Sequence, residues 1–252
     1  MLLEDRIIAS DPNPNRRKAF EDRFHITTTD DNRHVVQESY ILLLAVKPQQ
    51  YREAVREFAN LVREDHLIVS IMAGISTASL EACFPHIKAR IVRTMPNLAS
   101  HVGAGMSGVC PGRYASEADL LRAQRLFDAG GKSVHIQSED LMDAVTAVSG
   151  TGPAYYYFFT EALVEAAKRI GLSPQYANLL AKQTALGAAR MMLETGETPD
   201  VLREKVTSPG GTTEAAMKAM RESDVFELIV KGVTAAFARG RELGVLNSAT
   251  GK

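Results

Sequence analysis

The sequence predicts an α/β half followed by an all-α half. Two observations carry this. Residues 1–138 alternate short apolar or β-branched runs with helical stretches. From residue 139 to 252 the β-branched runs stop and alanine becomes frequent. Alternating strand and helix implies a doubly wound parallel sheet covered on both faces. Long helices without a sheet of their own to cover imply apolar faces buried against a second subunit. The 252 residues are 45% hydrophobic, enough to core two ordinary domains.

The strands come in order. "RIIAS" (6–10), "YILLLAV" (40–46), "LIVSI" (67–71) and "RIVRTM" (90–95) are nearly continuous apolar runs, as strands buried on both faces require. "MSGVC" (106–110) and "KSVHI" (132–136) follow as later strands. Asn13-Pro14 opens one helix, a capping residue followed by proline at the first helical position. Pro48 opens another. Ser116 and Asp119 have the spacing of a capping box at the start of a third. In the second half Phe159, Leu163, Ala166 and Ile170 share a helix face that Gly171 ends. Ser173-Pro174 starts a helix running to about Thr195, and Thr198-Pro199 starts a short one. Ser223 is expected to cap a last helix ending near Gly244.

Composition excludes several classes. The net charge of −1, without a long charge run, argues against a nucleic-acid or anionic-membrane partner. The longest apolar run, residues 40–46, is too short to span a bilayer. The segment "MLLEDRII" has no signal-peptide pattern. Cys83 and Cys110 stand far apart and read as small buried hydrophobes, not as a disulfide framework or a metal site. A reduced, cytoplasmic compartment is expected.

A dinucleotide-binding sheet normally opens with a strand, a glycine-rich turn and a helix. This chain opens on "RIIASDPNP", which in the usual order is the second strand. The expectation is therefore a sheet lacking its first strand and glycine loop, with weakened dinucleotide affinity. Ser10, Asp11, Asn13, Arg16 and Arg17 cluster after that strand. Ser10 and Arg16 could hold a ribose 2′-phosphate, whereas Asp11 could accept from a 2′-hydroxyl; the two readings conflict. "GAGMSG" (103–108) matches G-x-G-x-x-G but leads into "VCPGRY", not a helix, so its glycines read as turn or bulge residues.

Three further strand ends carry ligand chemistry, because ligands of open α/β sheets sit beyond the carboxyl ends of strands. Lys47-Pro48 ends the first, with Lys47 placed for a ribose or phosphate. Ala73-Gly74 ends the second, where small residues let a flat ring approach the backbone. Met95-Pro96-Asn97 ends the third, and the Asn97 amide suits a carboxamide or ribose, or shapes the turn.

"AVKPQ", "VSIMAGIS", "RTMPN", "AVSGTGPAYYYFF" and "VTSPGGTTEAA", in this order and spacing, resemble the pyrroline-5-carboxylate reductase family from about Ile7 to Leu246. That resemblance implies reduction of 1-pyrroline-5-carboxylate to L-proline by NADPH or NADH, the last step of proline synthesis. It implies a Rossmann-like N-terminal domain and a helical domain that dimerises, with dimers assembling into decamers. It places Ala45, Val46, Lys47, Pro48, Ala73, Gly74, Met95, Pro96 and Asn97 on the cofactor. Members begin with a strand and a G-x-G-x-M-A loop ahead of the position of Met1, so the chain is expected to be N-terminally truncated. "MPNLA" stands for the usual "MPNTP", and Lys205 for an asparagine of some relatives.

The resemblance also assigns the substrate to Ser208, Pro209, Gly210, Gly211, Thr212 and Thr213, and the local chemistry agrees. A helix start presents free N–H groups that suit a carboxylate. Gly210 and Gly211 let backbone curl without a Cβ clash. Thr213 is the candidate partner of the ring nitrogen and the one catalytic candidate. The same residues also satisfy a simple cap and tight turn. In "SGTGPAY" the glycines and proline kink a long helix, and the resemblance places Ser149 and Thr151 beside the substrate. The aromatic run 155–159 reads as core and dimer interface. The rival readings are a 3-hydroxyacid dehydrogenase, for which Lys168 stands too far along its helix to be the catalytic lysine, and a non-catalytic dimeric remnant.

Overall fold

The computed structural model describes residues 6–249. It divides into two compact units. One holds residues up to Thr151 together with the segment from Ala236; the other runs Gly152–Ala235.

The first unit begins with β1 (Ile8–Ser10), α1 (Pro14–Phe24), β2 (Thr27–Thr29) and α2 (Asn32–Glu38). It continues with β3 (Ile41–Leu44), α3 (Tyr51–Arg56), β4 (Leu67–Ser70), α4 (Thr77–Glu81) and β5 (Arg90–Met95). β6 (Gly105–Pro111), α5 (Glu117–Asp128), β7 (Gly131–His135) and α6 (Met142–Val145) complete it. β1 pairs with β2 in a parallel two-stranded sheet. The other strands form a second sheet of order β3-β4-β5-β6-β7. Neighbours are parallel except β5 and β6, which run antiparallel. β2, spelled "TTT", carries too little apolar signal to be read from sequence.

Strand alternation explains the core. Leu67 and Val69 of β4 face Val92, Val109, Leu120 and Ala123, which seats α5 on one face. Ile68 faces the other way, into a larger core with Leu42, Val55, Leu80, Phe84 and Ile91 that carries α3 and α4. Expected starts hold. The Asn13 side chain accepts from the Asn15 N–H at 2.9 Å, with Pro14 opening α1. Ser116 and Asp119 form the capping box of α5.

The second unit is helical: α7 (Gly152–Arg169), α8 (Pro174–Thr195), α9 (Pro199–Lys205) and α10 (Thr212–Glu222) lead into α11 (Val225–Ala249), which continues into the first unit. Gly171, at φ +100°, ends the α7 region as expected. Two boundaries differ from expectation. Ser223 closes α10 rather than capping α11, and Asp224, at φ +51°, makes the turn between them. α11 runs past Gly244 to Ala249, because a glycine inside a long helix costs only about 1 kcal/mol.

The helical unit buries little of itself. Gly152, Ala177 and Ala181 are its buried residues among those described in α7 to α10. Tyr156, Tyr157 and Phe158 on α7, Leu179 and Leu180 on α8, and Phe226 and Leu228 on α11 are exposed. No helix among the described residues is long and apolar enough to cross a membrane.

Candidate functional site

Register brings three of the predicted strand ends to one edge. Leu44 of β3 lies opposite Ser70 of β4, and Ser70 opposite Arg93 of β5, all running parallel. Ala45, Val46 and Lys47, then Ala73 and Gly74, then Pro96 and Asn97 therefore follow the carboxyl ends of adjacent strands, and Met95 closes β5. Ala45, Val46 and Lys47 are exposed and Pro48 is half-buried. Lys47 makes no ion pair among the described residues. Pro48 opens a 3-10 turn closed by the Gln50 N–H donating to the Lys47 carbonyl at 2.9 Å. Gly74 has φ +72°, and a Cβ there would meet Gly244 of α11 at 3.2 Å. Close packing on α11 accounts for this glycine, as well as its positive φ.

Asn97 does more than shape a turn. Its amide nitrogen donates to the Ser149 carbonyl at 3.2 Å and to the Ser149 hydroxyl at 3.4 Å. Its amide oxygen accepts from the Met106 N–H at 3.3 Å. A cofactor candidate and a substrate candidate are thus one hydrogen-bonded group. Ser149 lies in a π-helical stretch, Thr146–Gly150, between α6 and α7. The Thr151 N–H closes it, donating to the Thr146 carbonyl at 2.8 Å. The expected kink is therefore a π-turn, a device that re-aims side chains within a helix. At Gly150 a Cβ would approach the Met95 methyl to 2.5 Å, so the end of the Met95 side chain would have to shift.

A buried charge cluster, missed in the sequence reading, holds this segment to the sheet. Arg93 of β5, 6% exposed, pairs with Glu139 at 3.2 Å and Asp143 at 3.3 Å. Glu139 also accepts from the N–H of Thr77 at 2.8 Å and its hydroxyl at 2.6 Å, at the start of α4. The signal was present: an arginine inside the apolar run "RIVRTM" requires acidic partners, and "SEDLMD" supplies two, one helical turn apart.

At β1, the Ser10 hydroxyl donates to Asn32 Oδ1 at 2.6 Å. The Arg16 side chain is 68% exposed and lies 3.5 Å from the Asp11 carboxylate. Arg17 donates to the Asp11 carbonyl at 2.7 Å. The turn from β1 to α1 is Asp11, Pro12 and Asn13, without glycine. Within "GAGMSG", Gly103 ends a 3-10 turn at φ +71°, and Gly108 lies in β6 against Val145. Neither belongs to a phosphate loop.

In the helical unit Ser208–Gly211 forms a tight turn, the Gly211 N–H donating to the Ser208 carbonyl at 3.0 Å. Pro209 sits at its second position and Gly210, at φ +72°, at its third, as a type II turn requires. Gly211 is the N-cap of α10 and supplies no side-chain cap. The first helical bond there is from the Ala215 N–H to the Gly211 carbonyl. The N–H groups of Thr212, Thr213 and Glu214 thus stand at an open helix start. The Glu214 carboxylate already accepts from the Gly210 N–H at 2.8 Å. Thr212 is exposed and Thr213 half-buried. Lys168 is bound to Glu165 at 2.6 Å in the last turn of α7, as a surface ion pair.

A dimerisation model, "Pyrroline-5-carboxylate reductase dimerisation", matches residues 139–243, and "NADP oxidoreductase coenzyme F420-dependent" matches residues 3–74. A pyrroline-5-carboxylate reductase of Pseudomonas aeruginosa is 39% identical over 94% of this chain and 87% of its own length. The chain belongs to the pyrroline-5-carboxylate reductase family. The solved pyrroline-5-carboxylate reductase of Coxiella burnetii superposes with a TM-score of 0.89 at 37% identity, covering 95% of this chain and 89% of that one. That of Plasmodium falciparum, solved with NADP bound, gives 0.85 at 25% identity, covering 96% and 88%. Matches over 94–96% of this chain lend no support to the expected truncation. The family's activity is reduction of 1-pyrroline-5-carboxylate to proline with NAD(P)H, and its helical domain is the dimerisation domain. The open groove of about 820 Å3 between α7 and α8, lined by Tyr156, Tyr157, Val164 and Lys182, belongs to that domain.

Proposed function

We propose that this chain reduces 1-pyrroline-5-carboxylate with the substrate carboxylate on the amides of the Ser208–Thr213 turn. The observation that carries this is the open start of α10 behind a glycine with positive φ. Backbone N–H groups and a partial positive charge suit a carboxylate. The Ser208 and Thr212 hydroxyls add donors, and the Thr213 hydroxyl holds the ring nitrogen. A donor there stabilises the electron density that hydride addition puts on nitrogen, which lowers the barrier. Ser149 and Thr151, on the π-turn, are polar contacts to the substrate.

The residues at the sheet edge fit a phosphate-bearing dinucleotide: Lys47 is an exposed cation without an ion-pair partner among the described residues, and Arg16 is a second exposed cation, 3.5 Å from Asp11. Ser10 and Arg16 hold the 2′-phosphate, which favours NADPH over NADH. Lys47 and Pro48 meet ribose and phosphate, Ala45 and Val46 flank them, and Ala73, Gly74, Met95, Pro96 and Asn97 border the nicotinamide. The bound dinucleotide supplies the hydride; the protein's part is positioning. β1–β2 and β3–β7 are two pieces of one doubly wound sheet, with the position between β1 and β3 left without a strand among the described residues. The functional division falls at 138/139, the dimer assembles into a decamer, and the enzyme works in the cytoplasm.

Steady-state oxidation of NADPH with 1-pyrroline-5-carboxylate tests Thr213. Thr213→Ala is expected to lower kcat by on the order of tenfold or more, with Thr213→Ser retaining most of it and the dimer unchanged. Unaltered turnover of Thr213→Ala would remove Thr213 from the mechanism.

A further inference from the structure

Arg93 is a buried cation within the apolar run of β5, and it meets two carboxylates. Its Nη1 donates to Glu139 Oε1 at 3.2 Å and its Nη2 to Asp143 Oδ1 at 3.3 Å. No other cation pairs with either carboxylate among the described residues. Glu139 reaches further. Its Oε1 accepts from the Thr77 N–H at 2.8 Å and its Oε2 from the Thr77 hydroxyl at 2.6 Å. One guanidinium thus ties the first residue of α4 and the helix α6 to β5.

Each tied segment leads into a different half of the proposed site. Thr77 follows Gly74 by three residues, across the turn that leaves β4. Asp143 precedes Ser149 by six, in the helix that runs on into the π-turn. Stability alone does not account for such a cluster, because well-packed apolar residues often hold segments as firmly as a buried ion pair. A guanidinium adds direction: its rigid planar fork fixes two acceptors relative to each other. Hydride transfer depends on such fixing, since a displacement of about 1 Å costs on the order of 100-fold in rate.

We propose that Arg93 is a positioning residue for the reduction. Through Glu139 and Thr77 it orients the turn that borders the nicotinamide, and through Asp143 it orients the π-turn beside the substrate. It touches neither reactant. The proposal rests on the assignment of Ala73 and Gly74 to the cofactor and of Ser149 to the substrate.

Steady-state kinetics on variants of each limb tests it. Thr77→Val keeps the side-chain shape and removes the hydroxyl bonded to Glu139. The KM for NADPH should rise about threefold to tenfold, with the KM for 1-pyrroline-5-carboxylate unchanged. Asp143→Ala frees the other arm of Arg93 and should do the reverse. Thr77→Ser and Asp143→Asn, which keep a donor and an acceptor in place, should recover most of each loss. Arg93→Lys keeps the charge without the fork and should raise both constants. A merely structural cluster would move the two constants together in the single-limb variants, or move neither. Either result, or wild-type constants in Arg93→Lys, would overturn the proposal. Ala73→Leu and Ser149→Ala probe the underlying assignment, because they alter the bordering residues themselves. If they leave both constants unchanged, that assignment fails and the proposal falls with it. If they shift the constants while the limb variants do not, the positioning role alone fails.

Discussion

The Asn97 amide nitrogen donates to both the carbonyl and the hydroxyl of Ser149, at 3.2 and 3.4 Å. The end of β5 and the π-turn before α7 are thereby one rigid piece. Since Asn97 borders the nicotinamide and Ser149 the substrate in the proposed reading, this link sets the spacing between the two reactants' supports.

Asn97→Ala should therefore affect chemistry more than affinity. It removes three hydrogen bonds around Met106 and Ser149, and we expect a loss of about 1–3 kcal/mol in stability. A kcat decrease of about tenfold or more, with a smaller change in the KM for NADPH, should accompany it. Steady-state kinetics and urea unfolding read both effects; wild-type kcat would show that Asn97 only shapes its turn.

The Arg93 cluster makes a sharper stability prediction. Glu139→Ala leaves the buried Arg93 with Asp143 alone and strips the Thr77 N–H and hydroxyl of their acceptor. Breaking a buried pair costs about 3–5 kcal/mol. The urea midpoint should fall accordingly at unchanged m-value. An unmoved midpoint would mean the cluster is solvated.

Much of this was legible in the sequence, for reasons that name themselves. β4 and β5 are short apolar runs buried on both faces, β3 is one that leaves Leu43 exposed, and the strand-end residues follow from these runs. Caps at Asn13, Ser116 and Ser173 are local chemistry and sit where expected. β2 was missed because three threonines carry no apolar period. β6 was expected as a strand, but its antiparallel direction was not, because periodicity does not reveal strand direction. The Asn97–Ser149 link joins residues 52 apart in sequence, and no local pattern encodes such a contact. Gly74 was read for a ligand's approach, and its packing on Gly244 was invisible for the same reason.

The dimer follows from exposed apolar surface on the helical unit. Tyr157 and Phe158 are 60% and 74% exposed. Replacing both with aspartate should move the protein from dimer to monomer in sedimentation, since unpaired charge is costly in an apolar interface. A persistent dimer would place the interface on another face.

Stability should fall on mild acidification. His66 is buried, and burial, then the Arg63 charge, lower its pKa below the usual 6.5. The unfolded chain takes up a proton at that pH while the folded one does not, so stability declines as pH drops below about 6.5 and levels off beneath the folded pKa. Asp119 acts in a lower window. Burial works to raise its pKa, but hydrogen bonds from Ser116 and the charges of Arg90 and Arg122 outweigh burial and hold it low. Its contribution is present above about pH 3.9 and is lost as pH falls through the folded value. Urea unfolding of wild type and His66→Gln across pH 5–8 (about the range where histidine titrates) checks the first window; identical slopes would contradict it.

Substrate discrimination tests carboxylate recognition at the start of α10 most directly. NADPH oxidation can be followed with 1-pyrroline-5-carboxylate and with 1-pyrroline, which keeps the imine but lacks the carboxylate. A site built around hydrogen bonds to that group predicts a kcat/KM at least about 100-fold higher for the carboxylate. Equal values for the two imines, or no oxidation with either by the folded dimer, would contradict it.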